Sequence, residues 1–206
     1  MENSTIQYGF YLDASKCSGC KTCQVACKDR SNMIVGPKWR RVYEYTGGSW
    51  QQNPNGTFTQ DIFACYLALS CNHCNNPKCV QACPTGAMHK DRQTGLVRVF
   101  EESCIGCEAC ARACPYDAPQ IHPERRVMTK CDGCYDRLKQ GLAPVCVASC
   151  PQRALEFGPI DELRARYGNQ ADAPGLPSSA ITDPNLVITR HPRSRNGGQI
   201  INTSEI

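Results

Sequence analysis

The sequence lacks most of what a chain of this size uses to hold itself together. Its longest apolar run, Ile62 to Leu69, is far too short to cross a bilayer, which takes about 20 apolar residues. Aromatic residues make up only 7% of the chain, while glycine and proline number 16 and 14. A chain so composed buries a modest apolar core, and something besides apolar packing must hold it. The opening residues Met1 to Phe10 carry no basic stretch followed by an apolar one, so no signal peptide is expected. The protein is expected to be soluble by itself or held at a membrane by a partner. There is no C-x2-C-H for c-type haem, because Lys21, Gln24, Asn75, Glu108, Ala111 and Tyr135 follow the relevant cysteines. No G-x-G-x-x-G and no P-loop occur. His73, His89, His122 and His191 form no cluster in sequence and read as surface or supporting residues.

What is abundant is cysteine, 17 in 206 residues. The stretch Cys104-Ile-Gly-Cys-Glu-Ala-Cys-Ala-Arg-Ala-Cys-Pro115 reads C-x2-C-x2-C-x3-C-P, the run that holds iron–sulfur clusters in bacterial ferredoxins. Three thiols on one tight loop converge on one point, and the fourth follows on a short turn that points its sulfur elsewhere. Pro115 disfavours helical geometry for the residue before it. Three variations accompany this run: Cys17, Cys20, Cys23 and Cys27, without the proline; Cys71, Cys74, Cys79 and Cys83-Pro84, with a widened loop; and Cys131, Cys134, Cys146 and Cys150-Pro151, with an eleven-residue gap. Gly19, Gly106 and Gly133 recur in Cys-x-Gly-Cys positions, where positive φ lets the loop fold round a cluster. Cys65 lies outside every run and reads as a small buried hydrophobe.

Thiolates change the charge balance. The formal +4 counts cysteines as neutral. Four oxidised cubanes at roughly −2 per site would bring the protein to roughly −4, so the basic pI implies no nucleic-acid partner.

A strand at Tyr8 to Leu12 leads into the first group. Residues 31–70 form an insertion with strand patterns at Arg40 to Tyr45 and Phe58 to Leu69 and turns at Gly47-Gly48 and Asn53 to Gly56. The second and third groups are each followed by a short hairpin, Ala87–His89 with Leu96–Phe100 and Ala118–His122 with Arg126–Lys130. Leu155-Glu-Phe157 reads as a closing strand. Pro159 is placed at a first helical position, and Asp161 and Glu162 start a short helix that Gly168 ends. Residues 169–206 hold Pro174, Pro177, Pro184 and Pro192 and read as an irregular tail that packs on a partner or stays solvated.

Cysteine run, proline, hairpin, cysteine run is an internal repeat. The expected fold is α+β: two ferredoxin-like modules of two [4Fe–4S] clusters each, with short hairpins and helices. One module comprises 1–30 and 128–168, the other 71–127; 31–70 is a β-rich insertion and 169–206 the tail.

Two other uses of cysteine compete. Disulfides suit small secreted domains, but the count is odd and every group contains C-x2-C. Zinc takes two C-x2-C pairs, yet needs neither the third cysteine at that interval nor the closing Cys-Pro. A colourless zinc or disulfide scaffold and a brown iron–sulfur protein differ at once in their visible spectra.

The order of the four groups, with Cys71-Asn-His-Cys-Asn-Asn-Pro-Lys-Cys79 in the second, resembles the four-cluster electron-transfer subunits of molybdopterin oxidoreductases. The likeness is greatest to the iron–sulfur (B) subunits of anaerobic dimethyl sulfoxide reductases. Tyr8-Gly-Phe10, Ala26-Cys-Lys-Asp29, Arg41-Val-Tyr-Glu-Tyr45, Gly86-Ala-Met-His-Lys90, Met128 to Arg137 and Phe157 to Leu163 carry it, over about residues 7–190. The resemblance implies a heterotrimer: a molybdopterin catalytic subunit reducing dimethyl sulfoxide or related S- and N-oxides, a membrane anchor oxidising menaquinol, and the present protein between them without chemistry of its own. The equivalent subunit of a formate dehydrogenase or of a polysulfide or thiosulfate reductase is the alternative. The complex would sit peripherally on the bacterial cytoplasmic membrane, on the periplasmic face by co-export with a twin-arginine catalytic subunit, or else on the cytoplasmic face. In related nitrate reductase subunits a tryptophan at the position of Cys107 accompanies a three-iron cluster, so Cys107 implies four irons.

If each run sends its fourth cysteine to a paired cluster, the repeat pairs the second group with the third and the first with the fourth. The expected ligand sets are Cys17, Cys20, Cys23 and Cys150 (set A); Cys27, Cys131, Cys134 and Cys146 (set B); Cys71, Cys74, Cys79 and Cys114 (set C); and Cys83, Cys104, Cys107 and Cys110 (set D).

Overall fold

The computed structural model describes residues 6–206. Its elements are short, with helices and strands interspersed: β1 (Tyr8–Asp13), α1 (Thr22–Arg30), β2 (Arg41–Gly47), β3 (Trp50–Gln52), β4 (Phe58–Gln60), β5 (Phe63–Leu69), α2 (Lys78–Gln81), β6 (Met88–Lys90), β7 (Val97–Val99), α3 (Ala109–Ala113), β8 (Gln120–Ile121), β9 (Met128–Thr129), α4 (Tyr135–Lys139), α5 (Val145–Ala148), β10 (Leu155–Pro159), α6 (Ile160–Tyr167), β11 (Leu186–Thr189) and β12 (Gln199–Ile200).

The cysteine spacing dictates the local geometry. Each group begins on an extended loop, and its third cysteine (Cys23, Cys79, Cys110 or Cys146) lies on a short helix. In the first and third groups a residue in the left-handed region turns the loop into the helix: Lys21 at φ 59 and Glu108 at φ 58. In the second and fourth, Pro77 and Pro144 do so. Gly106, at φ +67, could not carry a side chain, because a Cβ there would collide with the Arg126 carbonyl oxygen. Helix α1 packs on α5 and α2 packs on α3, so the first group faces the fourth and the second faces the third. The two hairpins, β6–β7 and β8–β9, are antiparallel.

Sulfur and aliphatic side chains share one core. Phe10, Leu12, Val42, Leu67, Leu155 and Ile188 are buried together with Cys23, Cys71, Cys131, Cys146 and Cys150. A second cluster joins Met88, Val97 and Met128 to Cys79 and Cys110.

Three expectations need correction. The tail at 169–206 is not irregular throughout. Leu186, Val187 and Ile188 are buried, and β11 pairs in parallel with β1, which β10 flanks on its other edge. Strand β12 pairs with β2. Parallel pairing to a strand at the other end of the sequence leaves no local signal. Next, the strand expected over Phe58 to Leu69 is broken: β4 pairs with β3 in an exposed hairpin, and only β5 pairs with β2. Gln60 bends the backbone by accepting the Ile62 N–H on its side chain. Last, Pro159 closes β10 and flanks α6 rather than opening it. Its missing N–H makes it equally suited to either place.

Candidate metal centres

None of the 17 cysteines is paired in a disulfide. Three cavities are each lined by four of them. One holds Cys17, Cys20, Cys23 and Cys150 against Val42, Ala68, Ala154 and Leu155. Another holds Cys71, Cys74, Cys79 and Cys114 against Val97, Pro77 and Thr182. The third holds Cys83, Cys104, Cys107 and Cys110 against Met88, Val99 and Met128. Of the other five, Cys27, Cys131, Cys134 and Cys146 are buried: Cys131 and Cys146 share one buried cluster, and α1, which carries Cys27, packs on α5, which carries Cys146.

The donor chemistry suits thiolates. The Met88 N–H donates to Cys83 Sγ and the Met128 N–H to Cys104 Sγ, both at 3.3 Å. The Gly133 N–H reaches Cys131 Sγ and the Ala154 N–H reaches Cys150 Sγ, both at 3.4 Å. Donors aimed at sulfur stabilise its anionic form and help set the potential of a bound cluster. Burial pushes the free thiols up, Cys23 and Cys110 to about 11 and Cys27 and Cys74 to about 12. Iron must therefore displace protons to bind them. Cys20 differs: the Thr22 hydroxyl, donating at 3.4 Å, draws its pKa down.

Among the described residues no group of three or more Cys, His, Asp or Glu side chains could hold a single metal ion, whereas zinc needs four ligands within about 2.3 Å of its centre. Four thiols round a pocket fit the corners of a cubane.

Three buried groups stand beside these sulfurs, and sequence reasoning misses two of them. His73, by sequence a surface or supporting residue, is fully buried. Its Nδ1 accepts the Val97 N–H at 2.9 Å, which leaves the proton on Nε2, 4.0 Å from Cys131 Sγ. Burial, then Lys130, holds its pKa well below the usual range. Lys130 is itself buried and donates to the carbonyls of Val97 and Cys131. Arg40 is buried too and donates to Cys146 Sγ at 3.2 Å. The place of His73 between Cys71 and Cys74 is a signal for the histidine; nothing marks Arg40 in the sequence.

The family described as "4Fe-4S dicluster domain" matches residues 62–160, and "4Fe-4S binding domain" matches 14–36. The B subunit of the anaerobic dimethyl sulfoxide reductase of Haemophilus influenzae is 55% identical over 192 residues, 93% of each protein. The protein belongs to the family of anaerobic dimethyl sulfoxide reductase B subunits. The B subunit of Escherichia coli is 54% identical over 194 residues, 94% of each protein. The thiosulfate reductase electron transfer subunit PhsB of Salmonella typhi is 39% identical over 163 residues, 79% of this sequence and 81% of that one. The cofactors of this B-subunit family member are [4Fe–4S] clusters, and its sixteen grouped cysteines provide for four of them.

Cys65 stays apart from all four sets. It is buried on β5 among Tyr45, Phe63 and Ile200. Cys65→Ala is expected to keep the full iron content and to lower stability by about 1 kcal/mol, the value of a small buried group. Loss of about four irons on analysis would make Cys65 a ligand instead.

Proposed function

We propose that this protein relays electrons between two partner proteins through four cluster sites in a row. The carrying observation is exposure. Of the sixteen grouped cysteines, only Cys20 and Cys107 are exposed, and they belong to sets A and D. The four thiols of set B are all buried. Set C shares its apolar surroundings with set D through Cys79 and Cys110, and its Cys71 lies in one buried cluster with Cys131 of set B. The order is then D, C, B, A, with a surface at each end.

The ligand sets are those named from the repeat: Cys17, Cys20, Cys23 and Cys150; Cys27, Cys131, Cys134 and Cys146; Cys71, Cys74, Cys79 and Cys114; Cys83, Cys104, Cys107 and Cys110. The cavities and thiol neighbours above support them. Sets A and B form one ferredoxin-like module, from 1–30 and 128–168, and sets C and D the other, from 71–127. When bound, the clusters supply one-electron carriers; the protein supplies thiolates, burial and N–H donors. No residue is needed as acid, base or nucleophile.

The family names point to a dimethyl sulfoxide reductase complex. We assign set A to the side of a molybdopterin catalytic subunit and set D to the side of a quinol-oxidising membrane anchor. No helix among the described residues is long and apolar enough to cross a membrane, so attachment would come through that anchor in a heterotrimer. Its substrate would be dimethyl sulfoxide or a related S- or N-oxide, as the 55% identity to a dimethyl sulfoxide reductase B subunit against 39% to PhsB favours. Co-export with a twin-arginine catalytic subunit would put the complex on the periplasmic face.

In the assembled complex, a quinol-site inhibitor is expected to perturb the EPR signal of the cluster held by Cys104, Cys107 and Cys110. It should leave that of Cys17, Cys20 and Cys23 unchanged. The opposite pattern would reverse the polarity of the relay.

A further inference from the structure

Arg40 stands just before β2, in the segment between the first two cysteine groups, outside every ligand motif. It is the largest of the fully buried side chains. Its Nη1 donates to the Ala68 carbonyl at 2.9 Å, its guanidinium carbon lies 4.6 Å from the centre of the Phe10 ring, and its Nη2 donates to Cys146 Sγ at 3.2 Å. Nε finds no partner among the described residues. None of the ion pairs among those residues includes Arg40. Burial disfavours its charge, and the sulfurs of Cys146, Cys23, Cys131 and Cys27 favour it. Cys23 belongs to set A and the other three to set B.

A buried cation without a counter-charge costs several kcal/mol even after the protein relaxes. Arginine cannot escape that cost by giving up its proton. Neutral thiols do not offset it, and no carboxylate does. Ligated thiolates and the net negative charge of a cluster would, and Nε is a donor left over for them.

We propose that Arg40 is the shared counter-ion of the A and B sites, a fixed positive charge that raises the reduction potentials of both clusters. Reduction adds an electron to a centre already negative, so a nearby buried cation favours the reduced state. The effect lowers the energy of an electron at the A and B end, which is the direction the relay needs. The inference rests on the ligand sets proposed above. It also gives the insertion at 31–70 a part in electron transfer, because that segment delivers the charge.

The test is a potentiometric titration, followed by EPR, of assembled complexes carrying Arg40→Gln or Arg40→Lys, with iron analysis of each. In Arg40→Gln the reduced-to-oxidised ratios of clusters A and B are expected to fall at least tenfold at fixed ambient potential, equivalent to about 59 mV. Clusters C and D should change less than threefold. Arg40→Lys, which keeps the charge but loses the planar fork, should restore A and B to within threefold. Full iron with unchanged A and B in Arg40→Gln overturns the counter-ion role and leaves the ligand sets standing. Tenfold shifts in one cluster of A and B together with one of C and D would instead overturn the ligand sets. If Arg40→Gln fails to load iron, loading of Arg40→Lys makes positive charge the requirement and supports the proposal. A tenfold fall in Arg40→Lys overturns it.

Discussion

Removing the iron anaerobically is expected to abolish the cooperative fold, and restoring iron and sulfide to return it with roughly sixteen irons per molecule. Helix α1 is the longest at nine residues, below the roughly 12–15 at which even favourable helices persist alone. The hairpins β6–β7 and β8–β9 have strands of two or three residues, and an isolated hairpin is marginal in water. Between them the core is lined by sulfur: Cys23, Cys71, Cys131, Cys146 and Cys150 are packed with Phe10, Leu12 and Leu67. Each of those thiols is a proposed ligand, so the packing and the ligation are the same atoms. Structural zinc sites contribute apparent binding energies of about 10–16 kcal/mol, as large as the net stability of about 5–15 kcal/mol of an ordinary domain. Four ligated centres therefore outweigh what the apolar contacts leave over. Far-UV circular dichroism and limited proteolysis of the apo and reconstituted protein measure this. An apo form that resists protease like the loaded one would show that apolar packing suffices, and a plateau near eight irons would halve the number of clusters.

Cys131→Ala and Cys107→Ser are expected to differ sharply although each removes one thiol. Cys131 is buried, receives the Gly133 N–H and faces His73. Its loss opens set B where water cannot stand in as a ligand, and the whole centre should go. Iron falls to about twelve or fewer, and electrons no longer pass between the end clusters. Cys107 is exposed on its loop, so the serine hydroxyl or water can occupy that corner. Cys107→Ser should lose about one iron and convert set D to a three-iron centre with a new EPR signal in the oxidised state. Equal iron loss in both variants would mean that burial does not govern cluster retention here.

The sequence by itself determined the local parts of this protein. Three cysteines on one loop are held together by covalent spacing, so the loops could be read directly. The hairpin turns, the start of α6 at Asp161 and Glu162, and its stop at Gly168 are likewise written in neighbouring residues. The tertiary structure decided what lies far apart in sequence. It brought Asn185 to the carbonyl of His73, 112 residues away. It turned part of the tail into β11 beside β1. It placed Arg40 against Cys146, 106 residues distant, and left Cys20 and Cys107 at the surface. A buried arginine and an exposed cysteine carry no mark in sequence, because burial is set by every element packed against a residue and not by its neighbours in sequence.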